Sequence, residues 1–399
     1  MARRVLKLSN EFELGLSGVS AEEVLGRVGK PFDISREVNP RDCIEMKVSM
    51  AQGLEELNSR LREDMLGLSY RVSKMGGKLY GGGIIFTDTS SLDPVWHRTT
   101  ALSERCSRGF LKIMSQQITM GVNNEYLGLE LYNFYRKINP IILAMSASSP
   151  FEHKDNSHII DTGFQSVRIA GYRDLLSSFP ESMLEAPRLW SKDEYFSAVR
   201  DLSSEIKRRV LDGELDSNFD ELTKVRRDRG GEHSYWPFDK LEPHQIFWFI
   251  RPRPDFEKRQ DEFVIELRIP DAPTRVSDAQ MINQFVVGLG YYIAKNGSHC
   301  INIPFNGTYQ ELLNVSMHGM NAEIEGTRIK EMVEYLSKYA VRGIRAEGYP
   351  KEAESLDISI SNLMSSGNGA ENLRSWAFSD GKKKTPEGVI RHLEIELRS

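Results

Sequence analysis

Four stretches of this chain alternate apolar and polar residues with a period of two, and each sets charged or amide groups along its polar side. In residues 10–16, "NEFELGL", an extended backbone puts Phe12, Leu14 and Leu16 on one face and Glu11 and Glu13 on the other. "CIEMKVSM" (43–50) opposes Ile44, Met46, Val48 and Met50 to Glu45 and Lys47. "QITMGV" (117–122) opposes Ile118, Met120 and Val122 to Gln117 and Thr119. "FVIELRI" (263–269) opposes Phe263, Ile265, Leu267 and Ile269 to Glu266 and Arg268. Such alternation belongs to antiparallel sheets with one face on a core. Taken singly, each segment is satisfied by a strand whose polar side meets water. Taken as one sheet, they gather carboxylates, and like charges about 7 Å apart on a strand repel. A divalent cation relieves that repulsion. Hard cations take oxygen ligands and commonly keep substrate phosphates among them. On the assumption of a shared sheet, Glu11 and Glu13 are expected to bind metal.

Long segments with helical spacing separate these strands. Residues 20–29 and 50–75 read as helices, the latter ending at Gly76-Gly77. Residues 125–149 read as a helix broken or kinked near Pro140 and running into a small-residue loop. Residues 81–88 read as a loop and short strand. Residues 179–215 mix loop and helix, and 277–297 is expected to be a helix capped by Ser277. The last 80 or so residues look mostly helical, with a loop around 364–372. Helices interspersed with strands that need not be sequence neighbours give an α+β fold.

The 399 residues suit one large domain or two ordinary ones. We expect a catalytic domain over 1–325 with a helical extension, 326–399, packed on it; a single domain is also compatible. No apolar run reaches the length of a membrane span, and no signal peptide is legible. Three scattered cysteines, Cys43, Cys106 and Cys300, argue against a disulfide framework and for the cytoplasm. Net charge of −5 gives no general attraction to nucleic acid or anionic membrane.

Several tempting features have plainer readings. "DGKKKTP" (380–386) lacks the leading glycine and spacer of a phosphate loop. Arg226, Arg227 and Arg229, beside Gly230-Gly231, fit a solvated loop or a phosphate-gripping lid. His153 and His158 have no metal-ligand spacing and read as surface residues. Cys43 and Cys106 sit in apolar surroundings that suit burial. "SASS" (146–149) lacks a nucleophile elbow and reads as a tight loop shaping a pocket.

"PIILAMSASSPF" (140–151) followed by "DTGFQSVRIAG" (161–171) resembles paired segments of glutamate–cysteine ligase family 2, the carboxylate–amine ligases. "EFE" (11–13), "IEM" (44–46), "QITMG" (117–121), "IRP" (250–252) and "IELRIPDAPT" (265–274) follow in that family's order. The resemblance spans about residues 8–325. It implies a glutamine-synthetase-like antiparallel sheet with a polar concave face and helices packed on the other face. It also implies ATP, Mg2+ and a ligase of glutathione biosynthesis that joins L-glutamate to L-cysteine or another amine through an acyl phosphate. By position, Glu11, Glu13, Glu45 and Glu266 would hold metal and ATP phosphates. Glu11, Arg168 and Arg268 would be catalytic, the arginines meeting phosphate or substrate carboxylate. Glu13, Gln117, Thr119 and Arg251 would bind the nucleotide. The partners implied are small molecules; nucleic acid and membrane are not expected, and a homo-oligomer is left open. Two departures stand out. Gln117 and Thr119 occupy a His-x-His position, and Asn314 and Met317 occupy positions of arginines.

Overall fold

The structure is a computed structural model that describes residues 7–28, 32–36, 42–83, 114–155, 158–175, 182, 184–212, 249–252, 263–379 and 385–398. The arginine loop at 226–229, Cys106, the lysine run at 382–384 and most of the strand expected over 81–88 lie outside them.

Among the described residues the strands are β1 (Lys7–Ser17), β2 (Asp33–Arg36), β3 (Cys43–Ala51), β4 (Lys78–Tyr80), β5 (Gln116–Val122), β6 (Phe151–Asp155), β7 (His158–Asp161), β8 (Ile250–Pro252), β9 (Phe263–Leu267), β10 (Glu323–Ile324) and β11 (Thr327–Arg328). The helices are α1 (Ala21–Val28), α2 (Leu54–Lys74), α3 (Glu125–Ser146), α4 (Val167–Leu175), α5 (Lys192–Leu211), α6 (Val276–Asn296), α7 (Tyr309–His318), α8 (Ile329–Ala346), α9 (Pro350–Ser366), α10 (Gly369–Phe378) and α11 (Pro386–Leu397).

The four alternating segments do share one antiparallel sheet. Its order is β2-β3-β1-β5-β9-β8, with β4 also pairing with β1. Phe12, Leu14, Ile44, Met46, Val48, Ile118, Met120, Phe263, Ile265 and Leu267 are buried on one side of it. Helices α2, α3 and α6 cover that side. One expected core residue is not there. The pairing of β1 with β3 shifts between Leu8↔Ala51 and Asn10↔Val48, which inserts an extra residue into β3. The bulge reverses the alternation beyond it, so Met50 is exposed and Ala51 is buried.

Pro140 does not break its helix: α3 runs from Glu125 to Ser146. A proline leaves the carbonyl four residues earlier without its helical donor. That carbonyl, of Arg136, is packed instead by Gly307, where φ is +71° and an added Cβ would lie 1.9 Å from the oxygen. Arg136 Nη1 also donates to Asn306 O at 2.7 Å, closing the chain over this turn. Helix α6 begins one residue before the expected cap. Arg275 holds the N-cap position, Ser277 is exposed in the first turn, and Thr274 Oγ1 donates to Asp278 Oδ2.

Helices α8 and α9 join the same apolar core, while Leu373 and Ala377 of α10 and Val389, Ile390 and Leu393 of α11 pack in a second cluster with Tyr80, Met114 and Phe151. Gly288 of α6 and Gly343 of α8 bring the two backbones together; a Cβ on Gly343 would lie 2.0 Å from the Gly288 carbonyl oxygen. The loop expected around 364–372 narrows to Gly367 and Asn368. Asn368 caps α10 in a reciprocal box with Glu371.

Candidate active site

Strand pairing lays the polar residues out in rows on the side of the sheet away from the core. One row runs Ser35, Glu45, Glu13. The next runs Asp33, Lys47, Glu11, Gln117. A third runs Ser9, Thr119, Glu266, Arg251. Arg268, two residues beyond Glu266, continues the same face. The structure therefore brings Glu11, Glu13, Glu45, Glu266, Gln117, Thr119, Arg251 and Arg268 together.

The carboxylates are held by the protein's own donors and cations. Lys47 Nζ lies 3.0 Å from Glu45 and 3.6 Å from Glu11. Glu13 Oε2 accepts from the backbone N–H of Ser115 at 2.7 Å and from its hydroxyl at 3.0 Å, and Glu13 Oε1 accepts from Gln117 Nε2 at 3.3 Å. Burial raises the pKa of Glu13, and the Glu45 charge adds to this; Arg268 and the Ser115 hydrogen bond oppose it. Glu266 meets a guanidinium at each oxygen: Arg251 Nε at 2.6 Å and Arg268 Nη1 at 3.9 Å. Burial pushes Arg251 down, with help from the Arg268 charge. Burial acts the same way on Arg268, but Glu266, Tyr172, Glu13 and Glu11 outweigh it and hold Arg268 firmly protonated. Thr119 Oγ1 is buried and, among the described residues, has no hydrogen-bond partner.

Arg168 stands apart from this face. It is 1 % exposed, and its Nε donates to Asp271 Oδ1 at 2.8 Å. Its terminal nitrogens donate to the carbonyls of Arg268 and Ile269. Asp271 also accepts from the Ser148 N–H and from the Ser149 and Ser166 hydroxyls. The small-residue loop, the start of α4 and the end of β9 are thus tied through one buried carboxylate. Asp271 lies in "IELRIPDAPT" (265–274). The serines around it were its signal, since a buried carboxylate needs several donors. Asn314 and Met317 lie elsewhere, on α7. Asn314 Nδ2 donates to Glu323 O, and Met317 is exposed. His158 is exposed, and Cys43 is buried.

The donor set of the polar face suits a hard cation, because its acceptors are carboxylate, amide and hydroxyl oxygens. Among the described residues, however, no three acidic, histidine or cysteine side chains stand close enough to hold a metal ion. Lys47, Arg251 and Arg268 take up the neutralising role that the alternation pattern assigned to metal. A cation bound at Glu11 and Glu45 would share or displace Lys47. No described helix is long and apolar enough to cross a membrane.

Solved structures of similar shape include the glutamate–cysteine ligase of Francisella tularensis in complex with AMP. The match covers 100 % of this chain and 90 % of that one at 11 % identity, with a TM-score of 0.59. A bifunctional glutathione synthetase from Pasteurella multocida matches over 99 % of this chain and 52 % of its own, at 12 % identity and a TM-score of 0.58. Both show the fold, a mixture of helices and antiparallel sheet. By sequence, a protein of Nitrosospira multiformis named "Putative glutamate--cysteine ligase 2" is 27 % identical over 73 % of this chain and 69 % of its own length. One of the same name from Roseiflexus castenholzii is 28 % identical over 47 % of this chain, a match that spans only 38 % of that protein. The family model described as glutamate-cysteine ligase family 2 matches residues 20–296, which include β3, β5, β8 and β9. With well over half of its length matched and the corresponding fold, this chain belongs to glutamate–cysteine ligase family 2 and is a ligase of the carboxylate–amine type.

Proposed function

We propose that this chain is an ATP- and Mg2+-dependent ligase that joins the γ-carboxylate of L-glutamate to an amino group, L-cysteine being the first candidate. The single observation that supports it best is the polar face, where rows of carboxylates run into Arg251 and Arg268 across the paired strands. A carboxylate is a poor electrophile. Phosphorylation makes it one, at the cost of bringing several anions together. Phosphoryl transfer asks the protein chiefly for alignment and charge neutralisation.

In this reading Mg2+ would be held at the acidic end of the face by Glu11 and Glu45, with phosphate among its ligands and Lys47 shared or displaced, while Glu13 stays bonded to Ser115 and Gln117 beside it. Bound there, the metal neutralises phosphate charge. Arg268, permanently protonated and flanked by acidic groups, orients a phosphate or the substrate carboxylate through paired N–H donors. Glu266 aims Arg251 and Arg268 together. Glu11 completes the acidic end, while Gln117 and Thr119 present amide and hydroxyl groups to the nucleotide. Arg168 acts through the peptide that carries Arg268, as a positioning residue. That the Francisella tularensis ligase of the same fold is in complex with AMP supports a nucleotide as a ligand of this chain.

The test is ADP release from ATP and Mg2+ with L-glutamate, with and without L-cysteine, together with the mass of the product. Cysteine-dependent release with a γ-glutamyl product supports the full reading. Release that needs another amine keeps the chemistry and changes the acceptor. A second reading, a nucleotide-binding relative without turnover, draws on Gln117, Asn314 and Met317, which lack the proton exchange or positive charge of the residues they replace. It predicts ATP binding without ADP release for any amine.

A further inference from the structure

Lys47 is a cation set among anions at the acidic end of the polar face. Strand register places it between Asp33 of β2 and Glu11 of β1, and Glu45 precedes it by two residues on the same face. Its Nζ lies 3.0 Å from Glu45 Oε1 and 3.6 Å from Glu11 Oε1. The lysine side chain is 39 % exposed, against 12 % for Glu11 and 15 % for Glu45. It is thus the most open of the three groups, and a ligand approaching this end meets the ammonium first. An ion pair this exposed is worth little to the fold, so stability gives a weak account of a lysine here.

Charge decides what such a ligand can be. Glu11, Glu45 and Lys47 together leave an excess of negative charge, and an anion is repelled by the set as it stands. With Mg2+ on the two carboxylates, their charge is cancelled and that of Lys47 is not. An ammonium has three N–H donors, so it can keep one carboxylate and still donate to a phosphate oxygen beside the metal. Asp33, the anion on its other side, is exposed, and salt and water screen its attraction. The rest of the row extends the same logic. Continuing the β5–β9 register by one pair sets Arg268 opposite Gln117, so Lys47, Glu11, Gln117 and Arg268 follow one another across β3, β1, β5 and β9. Three strand spacings separate the two ends of this row by about 14 Å at the backbone. A run of phosphates along it has a cation at each end.

We propose that Lys47 is a phosphate-binding residue of this site, its ammonium donating to the terminal phosphates of the nucleotide when Mg2+ occupies Glu11 and Glu45. The proposal rests on the reading of the polar face as the nucleotide site. Metal in phosphoryl transfer bridges the terminal phosphates, and for that reason they, rather than the phosphate next to the nucleoside, fall to Lys47.

The test is calorimetric titration of the full chain, in saturating Mg2+, with the non-hydrolysable β,γ-imido analogue of ATP and with AMP. Lys47→Met should weaken the analogue at least about tenfold, the loss of one charge-assisted hydrogen bond, and leave AMP within about twofold. Without nucleotide the same variant should bind Mn2+ more tightly, since a competing cation is gone. The two affinities then move in opposite directions, which a damaged face would not produce. Lys7→Met removes an equal charge from the same face of β1, beyond Ser9, and should leave the analogue within about twofold. A wild type that binds neither nucleotide would overturn the nucleotide reading and this proposal with it. A wild type that binds the analogue, with Lys47→Met unchanged, weakened equally for AMP, or matched by Lys7→Met, would overturn the proposal and leave the nucleotide reading standing.

Discussion

Glu13 and Gln117 meet across neighbouring strands, the Gln117 amide donating to Glu13 Oε1 at 3.3 Å while Ser115 holds the other carboxylate oxygen. Burial still raises the Glu13 pKa in spite of these bonds. A carboxyl whose folded pKa lies above its unfolded value supports the fold fully below the unfolded value of about 4.3. That support is lost as pH rises through the folded value. Glu13→Gln should therefore melt higher than the wild type at neutral pH without ligands, and the gap should close in acid. Thermal unfolding at several pH values measures it; a gap that widens towards acid would contradict the burial argument.

Lys47 stands between Glu11 and Glu45 where a divalent cation would otherwise act. Lys47→Met should raise affinity for Mn2+, a spin-active substitute for Mg2+, by roughly fivefold, the size of one half-exposed ion pair. Titration followed by the Mn2+ resonance reads this directly. Unchanged affinity would place any metal away from these two residues.

The Arg168–Asp271 pair is fully desolvated and anchors three segments. Arg168→Met should cost about 3–5 kcal/mol, because Asp271 is then a buried charge without its counterion. Adding Asp271→Asn should recover part of the loss. A double-mutant cycle by denaturant unfolding should give a coupling of about 1–3 kcal/mol. Purely additive losses would make the pair structurally incidental.

At Gly343, an added methyl would sit 2.0 Å from the Gly288 carbonyl oxygen, with the Tyr292 backbone nitrogen at 2.7 Å. Backbone cannot move aside as a side chain can. Gly343→Ala should lower stability by about 2–3 kcal/mol, a strong overpacking effect, as measured by chemical denaturation.

Glu266 separates two guanidinium groups that would otherwise repel each other. Glu266→Gln should abolish ADP release in the ligase assay and lower stability by about 3 kcal/mol, with circular dichroism showing the fold retained. Retained turnover would remove Glu266 from the proposed machinery.

Much of the polar face was legible because strand alternation is a local property. Glu11, Glu13, Glu45, Gln117 and Glu266 each declare their side of a strand within a few residues. Four things were not legible. The bulge that exposes Met50 depends on the register between β1 and β3, which no single segment encodes. The neutralising partners are matters of pairing: Lys47 lies beside Glu45 in sequence, but its reach to Glu11 needs the neighbouring strand. On the helical side, buried Asn10 donates to Gln117 O and accepts from Asn283. A lone asparagine among strand apolars gives no sign that a helix residue 273 positions away will satisfy it. Pro140 misleads for the same reason, since the Arg136 carbonyl that it deprives of a helical donor is covered by Gly307, from a distant loop.

The grip of Arg168 on the carbonyls of Arg268 and Ile269 has a kinetic meaning. The backbone that carries Arg268 is pinned, so the guanidinium can change position only by turning about its own side-chain bonds. Such turns exchange within nanoseconds when exposed, far faster than loop or hinge motions. Arg268 is largely buried among acidic groups, so the pace at which it captures an arriving anion would be set by diffusion and by the release of Glu266 from its present contact.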